Sequence, residues 1–280
     1  MTSVALLYAA WCTLLYLRQD TLVFPAYIAP PPAAHPFDPD TQVIKLDIGA
    51  NSTTEAWFIP ASSASSQHPA PVVIYFHGNA EIIDQQDYIA SGYKALGCSI
   101  LLPEYRGYGR AGGSPSQEAI VADCVRFYDR LIQRTDVDKS RIVFHGRSLG
   151  GGVAAQVATQ RQPASMIVTS TFHSAAEMAH NYAAPMFLAK HPFRTDRVIA
   201  ELNIPLLIFH GTQDSIIPIN HSRRLHKLVP EATYIEYDCG HIDFPGDRNE
   251  TAYWTAISEF LMRNGIVDTT TQSQPSVRQD

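Results

Sequence analysis

The segment Arg141-Ile-Val-Phe-His145 is a β-branched, apolar run that leads straight into Gly146-Arg147-Ser148-Leu149-Gly150 and a helical pattern. No other junction constrains the chain as strongly. A strand that turns this sharply into a helix brings backbone segments closer together than Cβ atoms allow, so glycine is needed on both sides of the serine. The same turn lifts the serine hydroxyl above the edge of the sheet. Ser148 is therefore a candidate nucleophile, with Gly146 and Gly150 as its steric supports. Small residues continue at Gly151, Gly152, Ala154 and Ala155, as a helix lying close against a sheet requires.

The rest of the chain keeps this rhythm. Strands are predicted over Gln42–Asp47, Glu55–Ile59, Val72–Phe76, Ser99–Pro103, Arg141–His145, Met166–Ser170, Leu206–His210 and Thr233–Tyr237. Helical spacing recurs between Glu118 and Leu131, and again at Tyr253, Trp254, Ile257, Phe260 and Leu261. Short strands alternating with helices predict an α/β fold, with an eight-stranded, mostly parallel sheet and helices on both faces. The first two strands have no helix before the third, only the loop Ala61–Gln67, which predicts an antiparallel meander at the start. Phe172–Lys190 is apolar without a strand. It reads as a small cap of one or two helices over the site, or as a crossover helix with a long loop.

The 280 residues, 45% of them hydrophobic, suffice for one large core, assigned to a single catalytic domain over 41–265. A net charge of −6 with no basic stripe argues against nucleic acid as a partner. Cys12, Cys98, Cys124 and Cys239 lack C-x-x-C spacing and the histidines lack H-E-x-x-H spacing, so no metal site is expected. At the start, Val4–Leu17 is nearly all apolar until Arg18-Gln-Asp20 stops it. As a helix it spans about 21 Å, short of a hydrocarbon core of about 30 Å, though counting from Met1 and letting Arg18 snorkel extends its reach. Residues 1–20 are read first as a membrane anchor. The alternatives are a cleaved signal, which would leave a secreted or periplasmic protein, and a helix packed on the domain. Residues 21–40 are proline-rich and read as a linker separating this segment from every catalytic motif, and 266–280 as a disordered tail.

A serine hydroxyl needs a base to take its proton, and the base needs an acid to hold its tautomer. His241 follows the last strand and precedes the last helix, at the same sheet edge as Ser148. Asp214 lies four residues past the seventh strand, while the stretch after the sixth offers no carboxylate before Glu177. Asp243 is too near His241 in sequence, and Asp238 precedes the loop. His145 and His210 end strands and suit local hydrogen bonding. An oxyanion hole needs backbone donors: Leu149 supplies one at the helix start and Asn79, in Phe76-His77-Gly78-Asn79-Ala80, the second. Gly78 lets that turn point inward, and His77 is assigned to bracing it.

Taken together, His77-Gly-Asn79, Pro103-Glu-Tyr-Arg-Gly-Tyr-Gly109 with Gly113-Ser-Pro115, Gly146-Arg-Ser-Leu-Gly-Gly151, His210-Gly-Thr-Gln-Asp214 and Gly240-His241 resemble the α/β-hydrolase-domain serine hydrolases of the single-span, N-terminally anchored kind. Gln19–Pro25 is similar to their juxtamembrane stretch. The resemblance covers nearly the whole chain and implies an α/β-hydrolase fold with the order Ser148, Asp214, His241. It extends to serine aminopeptidase-like and lysophospholipase-like enzymes, and to relatives that remove palmitate from protein cysteines. The activity this implies is ester or thioester hydrolysis, on a small-molecule or lipid acyl substrate and without a cofactor. Amide or peptide hydrolysis and a membrane-tethered, non-catalytic binding protein are the alternatives.

Overall fold

A computed structural model describes residues 2–268. One sheet holds β1 (Gln42–Gly49), β2 (Ser52–Ile59), β3 (Ala70–Phe76), β4 (Ser99–Pro103), β5 (Val137–Arg147), β6 (Ser165–Thr169), β7 (Leu206–Gly211) and β8 (Thr233–Tyr237). Their spatial order is β1-β2-β4-β3-β5-β6-β7-β8. The ladders from β4 to β8 are parallel, while β1–β2 and β2–β4 are antiparallel. The expected opening meander is corrected here, because β2 pairs with β4 rather than with β3. All seven residues of β3 are buried, which suits a central slot, and the crossover through α2 (Asp87–Ala95) returns β4 on its outer edge.

Period-two alternation along the strands sorts the core into two layers. Val72, Ile74, Phe144, Val168 and Ile208 face one way, packing with α3 (Gln117–Leu131), α4 (Leu149–Ala158), α5 (Thr195–Glu201) and α6 (Asn220–Leu228) through residues such as Phe127, Val153, Ile199 and Leu225. Val73, Tyr75, Val143, Ile167 and Phe209 face the other way, against Tyr93 of α2 and Trp254, Ile257 and Phe260 of α7 (Glu250–Arg263). Ser116 starts α3 by accepting the Ala119 N–H at 3.1 Å, satisfying one of the donors a helix start leaves unpaired. Ile266 and Val267 are buried in the second layer, so these two residues are part of the core and not of the tail expected from 266; 269–280 lie outside the described residues.

The sheet edge that carries the site follows from topology. β4 and β5 flank β3 on opposite sides, and the chain leaves β3 towards α2 on one face but β5 towards α4 on the other. The crevice opened at the carboxyl ends of such a pair is where open α/β sheets bind ligands.

The N-terminus departs most from expectation. A helix, α1, covers Thr2–Val23, and no helix among the described residues is long and apolar enough to cross a membrane. Arg18, Gln19 and Asp20 interrupt the apolar run inside the helix, and four of its side chains bond to the rest of the protein. Tyr8 Oη donates to Ala183 O at 3.0 Å, Trp11 Nε1 to Tyr182 O at 2.9 Å and Gln19 Nε2 to Leu188 O at 3.1 Å, while Asp20 accepts from His191 at 2.8 Å. Those partners belong to the segment between β6 and α5, which forms two 3₁₀ turns, Ala175–Tyr182 and Met186–Leu188. The single-span reading is therefore replaced by the helix packed on the domain. The proline-rich stretch does not hold α1 away either. Phe24 is 3% exposed against His191 and Phe193, and Lys94 pairs with Asp38 and Asp40.

Candidate active site

Ser148 sits between β5 and α4 with φ 53° and ψ −119°, a conformation that L-residues adopt only under constraint. The constraint is steric. A Cβ on Gly146 would lie 2.3 Å from Gly150 O, and one on Gly150 would lie 1.9 Å from Phe76 O. Both glycines are thus dictated by the turn. The Ser148 N–H donates to Thr169 O at 2.9 Å and its carbonyl accepts from Thr171 Oγ1 at 2.8 Å, so the strained residue is pinned at both ends.

The three residues expected to work together are brought together. His241 Nε2 is 3.0 Å from Ser148 Oγ, and His241 Nδ1 is 2.7 Å from Asp214 Oδ2. Asp214 Oδ1 accepts the N–H groups of Ile216 and Ile217 at 2.9 and 2.7 Å. His210 Nε2 lies 3.2 Å from Asp214 Oδ2 and 2.8 Å from Ile217 O, while its Nδ1 accepts from Ser222. Burial of Asp214 would raise its pKa, but the hydrogen bonds from His210, His241 and Ile217 outweigh burial and hold the carboxyl well below the usual carboxylate range. It is an anion throughout the neutral range, able to keep Nδ1 of His241 protonated and Nε2 free to accept from the serine. Asp243 is occupied elsewhere, accepting the Gly240 N–H at 2.9 Å, and Asp238 meets Thr212 and Gln213.

Asn79 and Leu149 both line the cavity beside Ser148 and His241. The Asn79 side chain is committed away from any ligand: Nδ2 donates to Val23 O at 2.8 Å, and Oδ1 accepts from Tyr108 Oη at 2.7 Å and from Ala80 N at 3.1 Å. What this turn can offer a ligand is therefore backbone. His77 lies behind it, fully buried, stacked on Tyr105 at 4.0 Å and 3.0 Å from Glu104 Oε1. Gly78 donates its N–H to Glu81 Oε2 at 2.9 Å. Glu81 is ion-paired with Arg147, whose guanidinium also donates to His241 O at 2.7 Å. One cation, next to Ser148 in the chain, thus ties the Asn79 turn to the His241 loop.

The sequence analysis assigned no role to several of these residues. Arg147 is the variable position of the pentapeptide, Tyr108 lies in a glycine-rich loop, and the N-terminal segment is set apart from the site altogether. A cavity of about 780 Å³ opens beside Ser148, and Cys12, Leu15, Tyr16, Gln19, Leu22 and Val23 of α1 form one of its walls. Their 3–4 residue spacing is the one signal that could have found them.

Comparison with known proteins places this architecture. A family model described as alpha/beta hydrolase fold matches residues 198–247, and one described as serine aminopeptidase, S33, matches 67–195. An uncharacterized Mycobacterium tuberculosis protein is 32% identical over 270 residues, 94% of each chain. The alpha/beta hydrolase domain-containing protein WAV2 of Arabidopsis thaliana is 30% identical over 282 residues, 90% of each chain. The chain belongs to the α/β-hydrolase family. Solved α/β-hydrolase folds superimpose over most of its length. Thermogutta terrifontis esterase 2 does so with a TM-score of 0.67 at 16% identity, covering 86% of this chain and 98% of that one. The Pyrococcus furiosus esterase Pf2001 gives 0.65 at 16% identity, over 84% and 98%.

Proposed function

We propose that the protein is a serine hydrolase that cleaves a carboxylic ester or thioester through an acyl-enzyme. The observation that carries this is the continuous line Asp214–His241–Ser148 at the mouth of a mostly apolar cavity. In this reading His241 Nε2 takes the Ser148 proton as Oγ attacks the acyl carbonyl, and Asp214 stabilises the imidazolium. The amides of Asn79 and Leu149 receive the oxyanion. The leaving alcohol or thiol departs with the proton from His241, and water, deprotonated by the same imidazole, releases the acid. A fluorophosphonate probe should label the wild type and not Ser148→Ala, whose ester turnover should fall by a factor approaching ~10⁶. Labelling that persists in a folded Ser148→Ala protein would put the nucleophile elsewhere, and no labelling of the wild type would favour a binding protein.

Peptide or amide hydrolysis on the same residues is the second reading, favoured by the description of the matching serine aminopeptidase family model. Against it stands the lining of the cavity, in which, among the described residues, Glu81 is the one carboxylate and is already paired with Arg147. Comparing an aminoacyl anilide with an ester of similar size separates the two.

Lipid surfaces are the proposed place of action. Val4, Leu6 and Leu7 of α1 are exposed, as is Phe187 of the cap at 84% and Ile242 beside His241 at 83%. Exposed apolar side chains at the start of α1, on the cap and beside His241 favour seating in a headgroup layer rather than spanning it. Co-sedimentation with phosphatidylcholine vesicles checks this.

A further inference from the structure

The wall that α1 contributes to the cavity is more regular than a lid needs to be. Cys12, Leu15, Tyr16, Gln19, Leu22 and Val23 follow the three- and four-residue steps of one helix face. The last of them lies beside the site, since Val23 O holds Asn79 Nδ2 at 2.8 Å. From there the helix recedes, and Cys12 stands eleven residues back, about 16 Å at 1.5 Å per residue.

The cap segment runs alongside it in the same direction. Gln19 is bonded to Leu188 near the site, Trp11 to Tyr182 and Tyr8 to Ala183 further away. Beneath this seam Ala175, Met178 and Ala179 line the same cavity. The result is a mostly apolar cavity whose α1 wall starts at Val23, beside the Asn79 turn and Ser148, and extends to Cys12. One leaflet of a bilayer core, half of about 30 Å, is about 15 Å deep, and that is the length of a membrane fatty acyl chain. The α1 wall matches it.

We infer that α1 is the ruler of the acyl-binding groove, its Cys12–Val23 face setting how long a fatty acyl chain the enzyme accepts. This rests on the acyl-hydrolase reading of Ser148 and names its substrate class as long-chain fatty acyl esters or thioesters. The acyl carbonyl sits at Ser148 and the methyl end reaches towards Cys12. The last methylenes of a long chain are removed from water only by residues of α1.

A tryptophan placed along the helix tests the ruler. Cys12→Trp fills the far end and Leu15→Trp a point three residues, one helical turn, nearer to Ser148. Leu14→Trp is the control, since Leu14 is 49% exposed and does not line the cavity. Turnover of p-nitrophenyl esters is measured from acetate to palmitate. With Cys12→Trp the longest esters should lose at least ~10-fold in kcat/KM, the scale at which methylenes are discriminated. With Leu15→Trp the break should move to shorter chains, so that in both variants the loss grows with chain length and is smallest for acetate, while Leu14→Trp keeps the wild-type profile. A uniform loss across all chain lengths, an unchanged profile, or an equal shift in Leu14→Trp overturns the ruler. If the wild type turns over no ester at all, the hydrolase reading fails instead. The ruler is then read from binding of saturated free fatty acids of graded length, where the same stepwise break is expected and its absence overturns it.

Discussion

Ser148, Gly146 and Gly150 form a unit in which each residue dictates the others. The left-handed φ of Ser148 costs on the order of 1–3 kcal/mol, and the turn persists because β5 and α4 are both anchored in the core. Asp214 belongs to the same scale. Four hydrogen bonds converge on it, two from backbone N–H groups and two from imidazoles, so its charge is stabilised before any substrate arrives. Asp214→Asn should lower ester turnover by roughly 10⁴, because an amide no longer favours the tautomer with the proton on Nδ1 of His241. Asp243→Asn should cost less than ~10-fold, since its side chain still accepts the Gly240 N–H through an oxygen. Steady-state kinetics on both variants decide the matter, and a reversal of the two losses would assign the acid to Asp243.

At the scale of elements, α1 is the piece whose role changed most between sequence and structure. A helix with apolar residues all round was open to burial in a bilayer or in protein, and the two uses leave similar compositions. Here one face lines the groove, the seam residues bond to the cap, and Val4, Leu6, Leu7 and Leu17 remain exposed. Replacing Leu6 and Leu7 together by Asp should abolish co-sedimentation with phosphatidylcholine vesicles. Both side chains are about 71% exposed and neither lines the cavity, so turnover of a short, soluble ester should be unchanged. Retained vesicle binding would move the lipid contact elsewhere, and lost short-ester turnover would mean that this face supports the fold.

At the scale of the whole molecule, the second core layer holds a buried polar centre at His145. Tyr93 Oη donates to its Nδ1 at 2.7 Å, and Nε2 lies 3.0 Å from Thr169 Oγ1. Burial pushes its pKa down to about 3. The unfolded imidazole takes up a proton below about 6.5 while the folded one does not until about 3. Between these values stability therefore falls as pH falls, by about 1.4 kcal/mol per pH unit. The depressed Asp214 carboxyl loses its own contribution only below the unfolded carboxylate value of about 3.9, while His221, whose pKa burial also lowers, adds a slope of the same sign, so the share of His145 is read from the difference between wild type and variant above pH ~4.5. Chemical denaturation from pH ~7 to ~4.5 should show this slope in the wild type and a reduced one in His145→Gln. Equal slopes would mean that His145 is not the group that links folding to protons.

Strand positions, the mostly parallel sheet with helices on both faces, the glycine-flanked Ser148 and the chain order Ser148, Asp214, His241 could all be read from the sequence, because each is written in local periodicity or in a short motif. β4 and β8 match their predicted ends, and the helix expected from Glu118 starts one residue earlier, at Gln117. Other features depend on contacts between residues far apart in the chain, and local patterns do not encode these. The insertion of β4 between β2 and β3 is one, and the Arg147 bridge between the Asn79 turn and the His241 loop is another. The same holds for α1. Its apolar face was visible from the start, but a hydrophobic surface is non-directional and does not specify what covers it. Only the tertiary structure, by setting Val23 against Asn79 and Trp11 against Tyr182, made that helix a wall of the site.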